Sequence, residues 1–285
     1  MTREHAALAA ELHAAVSRDP IDLARAALLI ARLEYPDLDP APSLRRLDEL
    51  GARAADAVAP LATAPMSMRL AAIAEQIYEH DGFDGNRAHY DDFRNSCLNV
   101  VLERRLGIPI TLALVFMEVA RRAGIETQGV SFPGHFLVRG SDDAGAPLVL
   151  DPFDHGRPLG ELELRGLLAR MVDPDAPYSS DLLKPCTPRH MLARMLNNLK
   201  RTYVELRSFT QAYAATDLIL AVDPTLLMEL RDRGLLAYHL NNPAAALRDL
   251  EQFVRLYSWD DSERKDREAL WNHVKALRRK IASLN

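Results

Sequence analysis

The segment that decides the fold runs from His135 to Asp151 and reads HFLVRGSDDAGAPLVLD. Two short apolar runs of β type, Phe136–Val138 and Leu148–Leu150, flank a polar turn that begins and ends with glycine. This pattern predicts a β-hairpin, which places His135 and Asp151 together near one end of a sheet. An imidazole oriented by a carboxylate is two thirds of a cysteine-type catalytic triad, so the open question is the nucleophile.

Helical periodicity dominates the chain upstream of this hairpin. Apolar residues recur at helical spacing through residues 1–55 and again over Ser67–Glu79. A short helix is predicted from Ser96 to Leu106, and the strongest helix of the chain follows over Ile110–Ala123. Helices followed by antiparallel strands, the first of them at Val130–Phe132, predict an α+β fold.

The C-terminal part of the chain is helical and carries a sequence repeat. Tyr203, Ala212 and Pro224 stand where a tetratricopeptide unit of about 34 residues has its tyrosine, its small residue and its terminal proline. A shift by one unit maps Ala212 onto Ala246, and Lys265–Leu284 is predicted to cap the array. One or two repeats cannot bury their apolar faces alone, so they are expected to pack on the preceding domain or on the capping helix.

These patterns divide the chain into three predicted parts. Residues 1–60 form an N-terminal helical region, residues 61–185 an α+β domain, and residues 189–285 a helical repeat region. Proline-rich segments at 173–177 and 184–188 mark the passage between the last two parts.

Composition limits the classes of function. The 285 residues include 35 basic and 40 acidic residues, and no basic stripe with interleaved aromatic residues indicates nucleic-acid binding. No apolar run approaches the ~20 residues that a membrane-spanning helix needs, and no apolar segment follows the charged N-terminus. These patterns predict that the protein binds neither nucleic acid nor membrane. Because two cysteines do not make a disulfide framework, we also expect it to be cytoplasmic.

Cys97 and Cys186 are the two residues that could supply a thiol. Cys97 lies near the start of the predicted short helix, where exposed N–H groups would favour a thiolate. The competing interpretation is a small buried apolar residue, and it is the favoured one because free cysteine is among the most buried residue types. Cys186 lies between two prolines on a connecting segment and belongs to no recognisable pattern.

Metal and cofactor sites have little support. His135, Asp151 and His155 are of the types that bind metal ions, but the chain has no close-spaced pair of histidines or cysteines. The segment Gly107–Pro109 lacks the glycines and the lysine of a phosphate-binding loop. We therefore expect no metal and no cofactor.

Four ordered motifs resemble a known family. They are NSCLNVVLERR from Asn95, GIPITL from Gly107, FPGHF from Phe132 and DPF from Asp151. Together they look like the signature of the SirB-type bacterial proteins, which join a transglutaminase-like domain to a C-terminal tetratricopeptide-repeat region. The resemblance covers almost the whole chain and implies that residues 61–185 adopt the transglutaminase-like, or papain-like, α+β core.

The resemblance also implies where catalytic residues would lie. In the superfamily a cysteine begins a core helix, and a histidine and an aspartate lie on neighbouring strands; His135 and Asp151 are similar to these two. The helix that the cysteine should open resembles the one that here begins Pro109-Ile110-Thr111, with no thiol. A threonine hydroxyl is a far weaker nucleophile than a thiolate unless a dedicated base activates it.

Three interpretations remain. In the first, the transglutaminase-like domain lacks its usual nucleophile and acts with the repeats as a module that binds a protein or peptide. In the second, the protein is an active cysteine-dependent amidohydrolase or acyltransferase, in which Cys97 attacks, His135 transfers the proton and Asp151 orients His135. In the third, the pair His135–Asp151 only ties the hairpin to the helix after Pro109.

Overall fold

The computed structural model describes residues 3–260, 262 and 264–282. These residues form helices α1 (Arg3–Val16), α2 (Leu23–Ala31), α3 (Pro40–Val58), α4 (Met66–Glu75), α5 (Leu98–Arg104), α6 (Pro109–Arg122), α7 (Glu161–Met171), α8 (Pro188–Glu205), α9 (Phe209–Val222), α10 (Leu227–His239), α11 (Pro243–Leu256) and α12 (Arg264–Ala282). The strands are β1 (Asp84–Gly85), β2 (Leu106–Gly107), β3 (Gln128–Val130), β4 (Leu137–Ser141), β5 (Pro147–Asp151) and β6 (Arg157–Pro158).

The chain divides into two compact units. One is residues 21–191, and the other combines residues 1–20 with residues 192–285. In the second unit α1 packs against α9, and His13 Nδ1 lies 2.9 Å from the carbonyl oxygen of Ala221. The boundaries that the sequence suggests, 1–60, 61–185 and 189–285, stay predictions.

The larger sheet of the first unit is antiparallel, with strand order β3-β4-β5-β6. The predicted hairpin is confirmed, because Val138 pairs with Leu150 and Ser141 with Pro147 across β4 and β5. The first predicted strand, Val130–Phe132, lies two residues too far along the chain. After Val130 the backbone turns back on itself, since the amide of Phe132 donates to the Val130 carbonyl.

Helix α6 forms the core of this unit. Its sequence PITLALVFMEVA is apolar around almost its whole circumference, and its side chains are buried over nearly the whole length. It packs against α3 and against β4, so it lies between the other helices and the sheet. Helix α5 is shorter than the predicted Ser96–Leu106, because Cys97 is extended and Arg105 adopts a left-handed conformation (φ 59°).

The C-terminal helices of the second unit pack against their neighbours along the chain. Helix α10 packs against both α9 and α11, and α12 packs against α11. The predicted helix start at Asn242 is confirmed, because its side chain accepts a hydrogen bond from the amide of Ala245. Leu270 and Val274 of α12 belong to the apolar core of the array, as expected of a capping helix. The predicted end of that helix, Leu284, lies outside the described residues.

The predicted fold class is confirmed, with an α+β core followed by a helical repeat region. Among the described helices, none combines the length and the apolar character that crossing a bilayer requires.

Candidate functional site

His135 and Asp151 meet at one end of the β4–β5 hairpin. The turn between the strands is held by Asp142, whose amide donates to the Ala146 carbonyl and whose carboxylate accepts from the amides of Ala144 and Ala146. This closure fixes the register of the two strands. It therefore brings His135, two residues before β4, and Asp151, the last residue of β5, to the same end.

The two side chains form a buried dyad. His135 Nε2 and Asp151 Oδ1 are 2.8 Å apart, and the side chains are only 4% and 10% exposed. Asp151 Oδ1 also accepts a hydrogen bond from the amide of Phe153 at 2.9 Å. The carboxylate is thus fixed by the backbone, and it fixes the orientation of the imidazole in turn.

Aromatic and cationic groups cover the dyad. The ring of Phe153 lies edge-on to that of His135, with 6.1 Å between the centroids. The ring of Tyr90 contacts the Phe153 ring as well, with 5.9 Å between their centroids. The guanidinium of Arg87 lies 4.7 Å from the centre of the Phe153 ring and donates to the Phe153 carbonyl. A Cβ atom at Gly85 would fall 2.5 Å from this ring, so the ring packs directly against backbone.

Tyr78 is a third buried polar group beside the dyad. It lies on a single π-helical segment, Gln76–His80, which continues α4. Its hydroxyl is buried and has no hydrogen-bond partner among the described residues. Burial, followed by the nearby Asp151 carboxylate, raises the pKa of Tyr78 well above its usual value. The phenol therefore stays protonated.

Thr111 occupies the first turn of α6, the position where the resemblance places a thiol. The residue is completely buried. Its hydroxyl donates to the Asn95 carbonyl at 2.7 Å and accepts from the amide of Ile108 at 3.1 Å. Both the proton and an acceptor position of the oxygen are therefore used inside the protein.

A network of neutral polar groups surrounds Thr111. Asn86 donates from Nδ2 to Asn95 Oδ1 at 2.9 Å, and Asn95 Nδ2 donates to the carbonyls of His89 and Tyr90. Asn95 is fully buried and Asn86 is 5% exposed. The network fixes the loop that carries Arg87 and Tyr90, and so positions the two residues that cover Phe153.

Cys97 lies in a different apolar cluster, with Ala31 and Val100. It is completely buried, and its thiol donates weakly to the Phe93 carbonyl at 3.7 Å. Burial, together with the carboxylates of Glu34 and Asp92, raises the pKa of Cys97 to about 12. The structure thus joins two of the three candidate catalytic residues, His135 and Asp151; the catalytic assignment of Cys97 stays a prediction.

The other candidate side chains have separate surroundings. His155 Nε2 lies 3.0 Å from Asp84 Oδ1, and its ring stacks on Tyr78. No cluster of three or more histidine, cysteine, aspartate or glutamate side chains suited to a metal ion occurs in the part of the chain that the structure describes. Cys186 is partly buried, and its amide donates to the Gly129 carbonyl.

Comparisons with known proteins agree with this architecture. The family model of the transglutaminase-like superfamily matches residues 42–197. The chain belongs to the transglutaminase-like superfamily. A tetratricopeptide-repeat model matches residues 199–272, directly after the transglutaminase-like domain.

Relatives of similar length share both parts. A UPF0162 protein of Xylella fastidiosa is 41% identical over 86% of this chain and 87% of its own length. A UPF0162 protein of Pseudomonas aeruginosa is 34% identical over 85% of this chain and 87% of its own length. These matches confirm the SirB-type resemblance. The mouse F-box only protein 21 is 32% identical over 61% of this chain, which is 28% of that protein. No solved structure matches.

Sequence reasoning found the dyad of the transglutaminase-like domain but not the groups around it. Asn86, Arg87 and Tyr78 carry no signal of their own, because each gains its role from a contact with a distant part of the chain. Asn95 stood inside a recognised motif, so its partner could have been sought. Phe153 also stood in a recognised motif, DPF from Asp151. An aromatic residue two positions after the aspartate was the signal that could have indicated a contact with the dyad.

Proposed function

We propose that the transglutaminase-like domain lacks its usual nucleophile and acts with the tetratricopeptide repeats as a protein-interaction module. The observation that carries the proposal is Thr111, in the first turn of the helix that the resemblance expects a cysteine to open. Its hydroxyl is buried and hydrogen-bonded as donor and as acceptor. A nucleophile needs a lone pair directed at a substrate and a base to receive its proton, and this oxygen contacts only backbone groups.

The environment of Cys97 supports the same conclusion. Thiolate, not thiol, is the reactive form, and catalytic cysteines lie in electropositive, partly exposed surroundings. Cys97 has the opposite surroundings, with apolar neighbours and two carboxylates that raise its pKa to about 12. At neutral pH it is therefore a neutral, buried thiol.

The repeat region supports the interaction half of the proposal. Stacked helical repeats create extended concave surfaces that bind other chains, and the repeat match covers residues 199–272. Two cysteines in 285 residues do not make a disulfide framework, which supports a reducing, cytoplasmic setting. The partner is a protein or peptide.

One observation favours the alternative function, a cysteine-dependent enzyme. The 2.8 Å contact between His135 and Asp151 has the geometry of an oriented general base, as a cysteine-dependent amidohydrolase using Cys97 would need. The two functions make opposite predictions about the reactivity of Cys97, so labelling separates them.

The first experiment exposes the purified protein to a thiol-reactive amide or ester probe. A Cys186→Ser background removes the second thiol, and His135→Ala in that background is the matched control. We expect slow labelling of Cys97 at the same rate in both proteins, as for a buried thiol that reacts only when the protein opens. Rapid labelling that His135→Ala abolishes, with the helical content unchanged by circular dichroism, would establish the enzyme instead.

The second experiment tests the interaction half. A peptide display library is selected on the immobilised full chain, with an unrelated immobilised protein as the control surface. Enrichment of a shared motif on the full chain supports the proposal. Equal recovery from both surfaces contradicts it.

A further inference from the structure

Residues 152–156 form a strap between β5 and β6, and this strap covers the dyad of His135 and Asp151. The ring of Phe153 lies edge-on to that of His135. Two hydrogen bonds attach the strap to Asp151, since the amide of Phe153 donates to Asp151 Oδ1 at 2.9 Å and the amide of Gly156 donates to the Asp151 carbonyl at 2.8 Å. Opening the strap breaks both bonds and uncovers one side of the His135 imidazole.

The backbone of the strap is strained at His155. This residue has φ 52° and the following Gly156 has φ 69°, so two consecutive residues are left-handed. Glycine is required at the second of them, because a Cβ atom there would fall 2.7 Å from the Cβ atom of Ala74 in α4. A left-handed conformation is unfavourable for a residue that has a Cβ atom, and it persists only where other contacts hold it. The closed strap therefore depends on the side-chain contacts of His155.

Both ring nitrogens of His155 face carboxylates of other segments. Nε2 lies 3.0 Å from Asp84 Oδ1 of β1, and Nδ1 lies 3.8 Å from Glu79 Oε1 of the π-helical segment. The ring also stacks on that of Tyr78, with 5.6 Å between the centroids. A neutral imidazole has one N–H and donates to one carboxylate at most, whereas an imidazolium donates from both nitrogens. The contacts that close the strap are therefore strongest when His155 is protonated.

The groups that contact His155 keep their charge while a histidine titrates. Arg87 donates to Asp84 Oδ1 at 2.9 Å. Burial acts to raise the pKa of Asp84, but its hydrogen bonds, that of His155 first, outweigh burial, so the net pKa is lowered and the carboxylate is ionised. Burial raises the pKa of Tyr78 well above its usual value, so the phenol under the imidazole stays neutral.

Two further charged groups and a second imidazole lie next to the strap. Arg157 Nε donates to Asp154 Oδ2 at 2.6 Å, and guanidinium and carboxylate groups are both charged between pH ~5 and ~8. The second imidazole is that of His135, on the other side of the Phe153 ring. A test must therefore compare proteins in which His135 is unchanged.

We propose that the strap is a pH-dependent lid over the dyad, which the protonated imidazole of His155 holds closed. When the proton is lost, one of the two carboxylates faces a nitrogen without a hydrogen, and the strain at residue 155 favours opening. Access to the dyad is therefore lowest near pH ~5.5 and rises towards pH ~8. This inference does not depend on the proposed function, because it concerns access to His135 and not the chemistry there.

Hydrogen exchange of the strap amides is the first test. The protection factors of the Phe153 and Gly156 amides are measured in the full chain at pH ~5.5 and ~8, since these factors correct for the intrinsic pH dependence of exchange. We expect both factors to be about two- to fivefold higher at the lower pH, which corresponds to one exposed ion pair. The amide of Asp142, which donates to the Ala146 carbonyl at the other end of the hairpin, is the internal control. Equal or higher protection of the strap amides at the higher pH overturns the proposal.

Substitutions assign the pH dependence to one residue. His155→Asn removes the titrating group and keeps a residue type that tolerates the left-handed conformation, so its strap amides should be equally protected at both pH values. His80→Asn is the matched control, because His80 is an exposed histidine on the same π-helical segment that lies 4.0 Å from Glu75 Oε1. It should keep the wild-type difference. A wild-type difference in a folded His155→Asn variant overturns the proposal.

A variant of the carboxylate serves if His155→Asn does not fold. Glu79→Gln changes an exposed side chain and removes one of the two negative charges that face His155. We expect a smaller difference between the protection factors at the two pH values than in the wild type. An unchanged difference contradicts the proposal.

Modification of His135 by diethyl pyrocarbonate tests whether opening reaches the dyad. Mass spectrometry of the tryptic peptide 123–139, in which His135 is the one histidine, gives the rate in the wild type and in His155→Asn. Because the ionisation of His135 affects both proteins, the ratio of the two rates at each pH reports on the strap. We expect the variant to react about two- to fivefold faster near pH ~5.5 and at nearly the wild-type rate near pH ~8. The same ratio at both pH values overturns the assignment of the strap as a lid.

Discussion

A buried cluster around Arg233 in the repeat unit is charged, whereas a buried cluster around Thr111 in the transglutaminase-like unit is neutral. In the repeat unit, Arg233 of α10 contacts Asp217 of α9 at 2.6 Å and Asp249 of α11 at 2.7 Å, so a charged cluster joins three helices. In the transglutaminase-like unit, the network of Asn95 and Thr111 contains only neutral groups.

The charged cluster changes the pKa of its own arginine. Burial acts to lower the pKa of Arg233, but the hydrogen bond and charge of Asp249 with the charge of Asp217 outweigh it, and the net pKa is raised. In the repeat unit these charges hold three helices together. In the transglutaminase-like unit the polar groups at the start of α6 hydrogen-bond to one another and hold the loop.

The largest predicted effect is loss of the charged cluster. Asp249→Ala leaves the buried guanidinium of Arg233 with one carboxylate fewer, and we expect the free energy of unfolding to fall by about 3–5 kcal/mol in urea titrations. Arg248→Ala is the control, because Arg248 contacts the same carboxylate from an exposed position and should cost at most ~1 kcal/mol. Similar losses in the two variants would mean that the cluster acts as an ordinary surface pair.

A smaller effect is expected in the neutral network. Thr111→Val keeps the shape but leaves the Ile108 amide and the Asn95 carbonyl unsatisfied, which should cost about 2–3 kcal/mol. Thr111→Ser keeps both hydrogen bonds, loses one methyl group and should cost about 1 kcal/mol. If the valine variant is as stable as the wild type, the hydroxyl is not structural and a chemical role for Thr111 must be reconsidered.

The dyad of His135 and Asp151 is expected to have the next largest effect on the free energy of unfolding. Asp151→Ala removes the acceptor of His135 and of the Phe153 amide, for an expected loss of about 2 kcal/mol in the same titration. Asp151→Asn keeps an oxygen at this position and should lose about half as much. An unchanged stability in the alanine variant would show that the dyad does not hold the hairpin, which contradicts the structural interpretation of the pair.

Near neutral pH the smallest effect is that of the Cys97 ionisation, which changes stability only at alkaline pH. The pKa of this thiol is raised from 9.0 to about 12 by burial and by Glu34 and Asp92, so the unfolded chain releases its proton first as the pH rises. Its contribution to stability is complete below pH 9.0 and is lost between there and about pH 12, at up to ~1.4 kcal/mol per pH unit. The measurement is the free energy of unfolding as a function of pH, and its slope above pH 9.0 is compared between the wild type and Cys97→Ala. Equal slopes in the two proteins would mean that the Cys97 thiol is exposed to solvent.

Those parts of the fold that are determined by a short stretch of sequence were predicted correctly. The hairpin followed from alternating apolar runs around a turn, and α6 followed from a proline start and a continuous apolar sequence. The strand Arg157–Pro158 was missed because its two exposed residues carry no apolar pattern. The packing of α1 against α9 was also missed, since an amphipathic helix does not specify which apolar surface it covers.

The candidate site was predictable only in part for the same reason. His135 and Asp151 lie 16 residues apart, and one turn brings them together. The contacts of Arg87 with Phe153 and of Thr111 with Asn95 join segments that no local pattern relates. The burial of Cys97 was the favoured prediction, but the carboxylates of Glu34 and Asp92, which also raise the pKa of this thiol, were not linked to it by any local pattern.

The hydroxyl of Thr111 has a consequence for how the domain can change by mutation. A cysteine at this position would introduce a larger atom that hydrogen-bonds weakly, so Ile108 and Asn95 would lose good partners. Space is also short, because even a Cβ atom added at Gly107 would fall 2.9 Å from the present oxygen. A cysteine at this helix start would therefore lower the stability of the domain, so the packing and hydrogen bonds around residue 111 favour threonine.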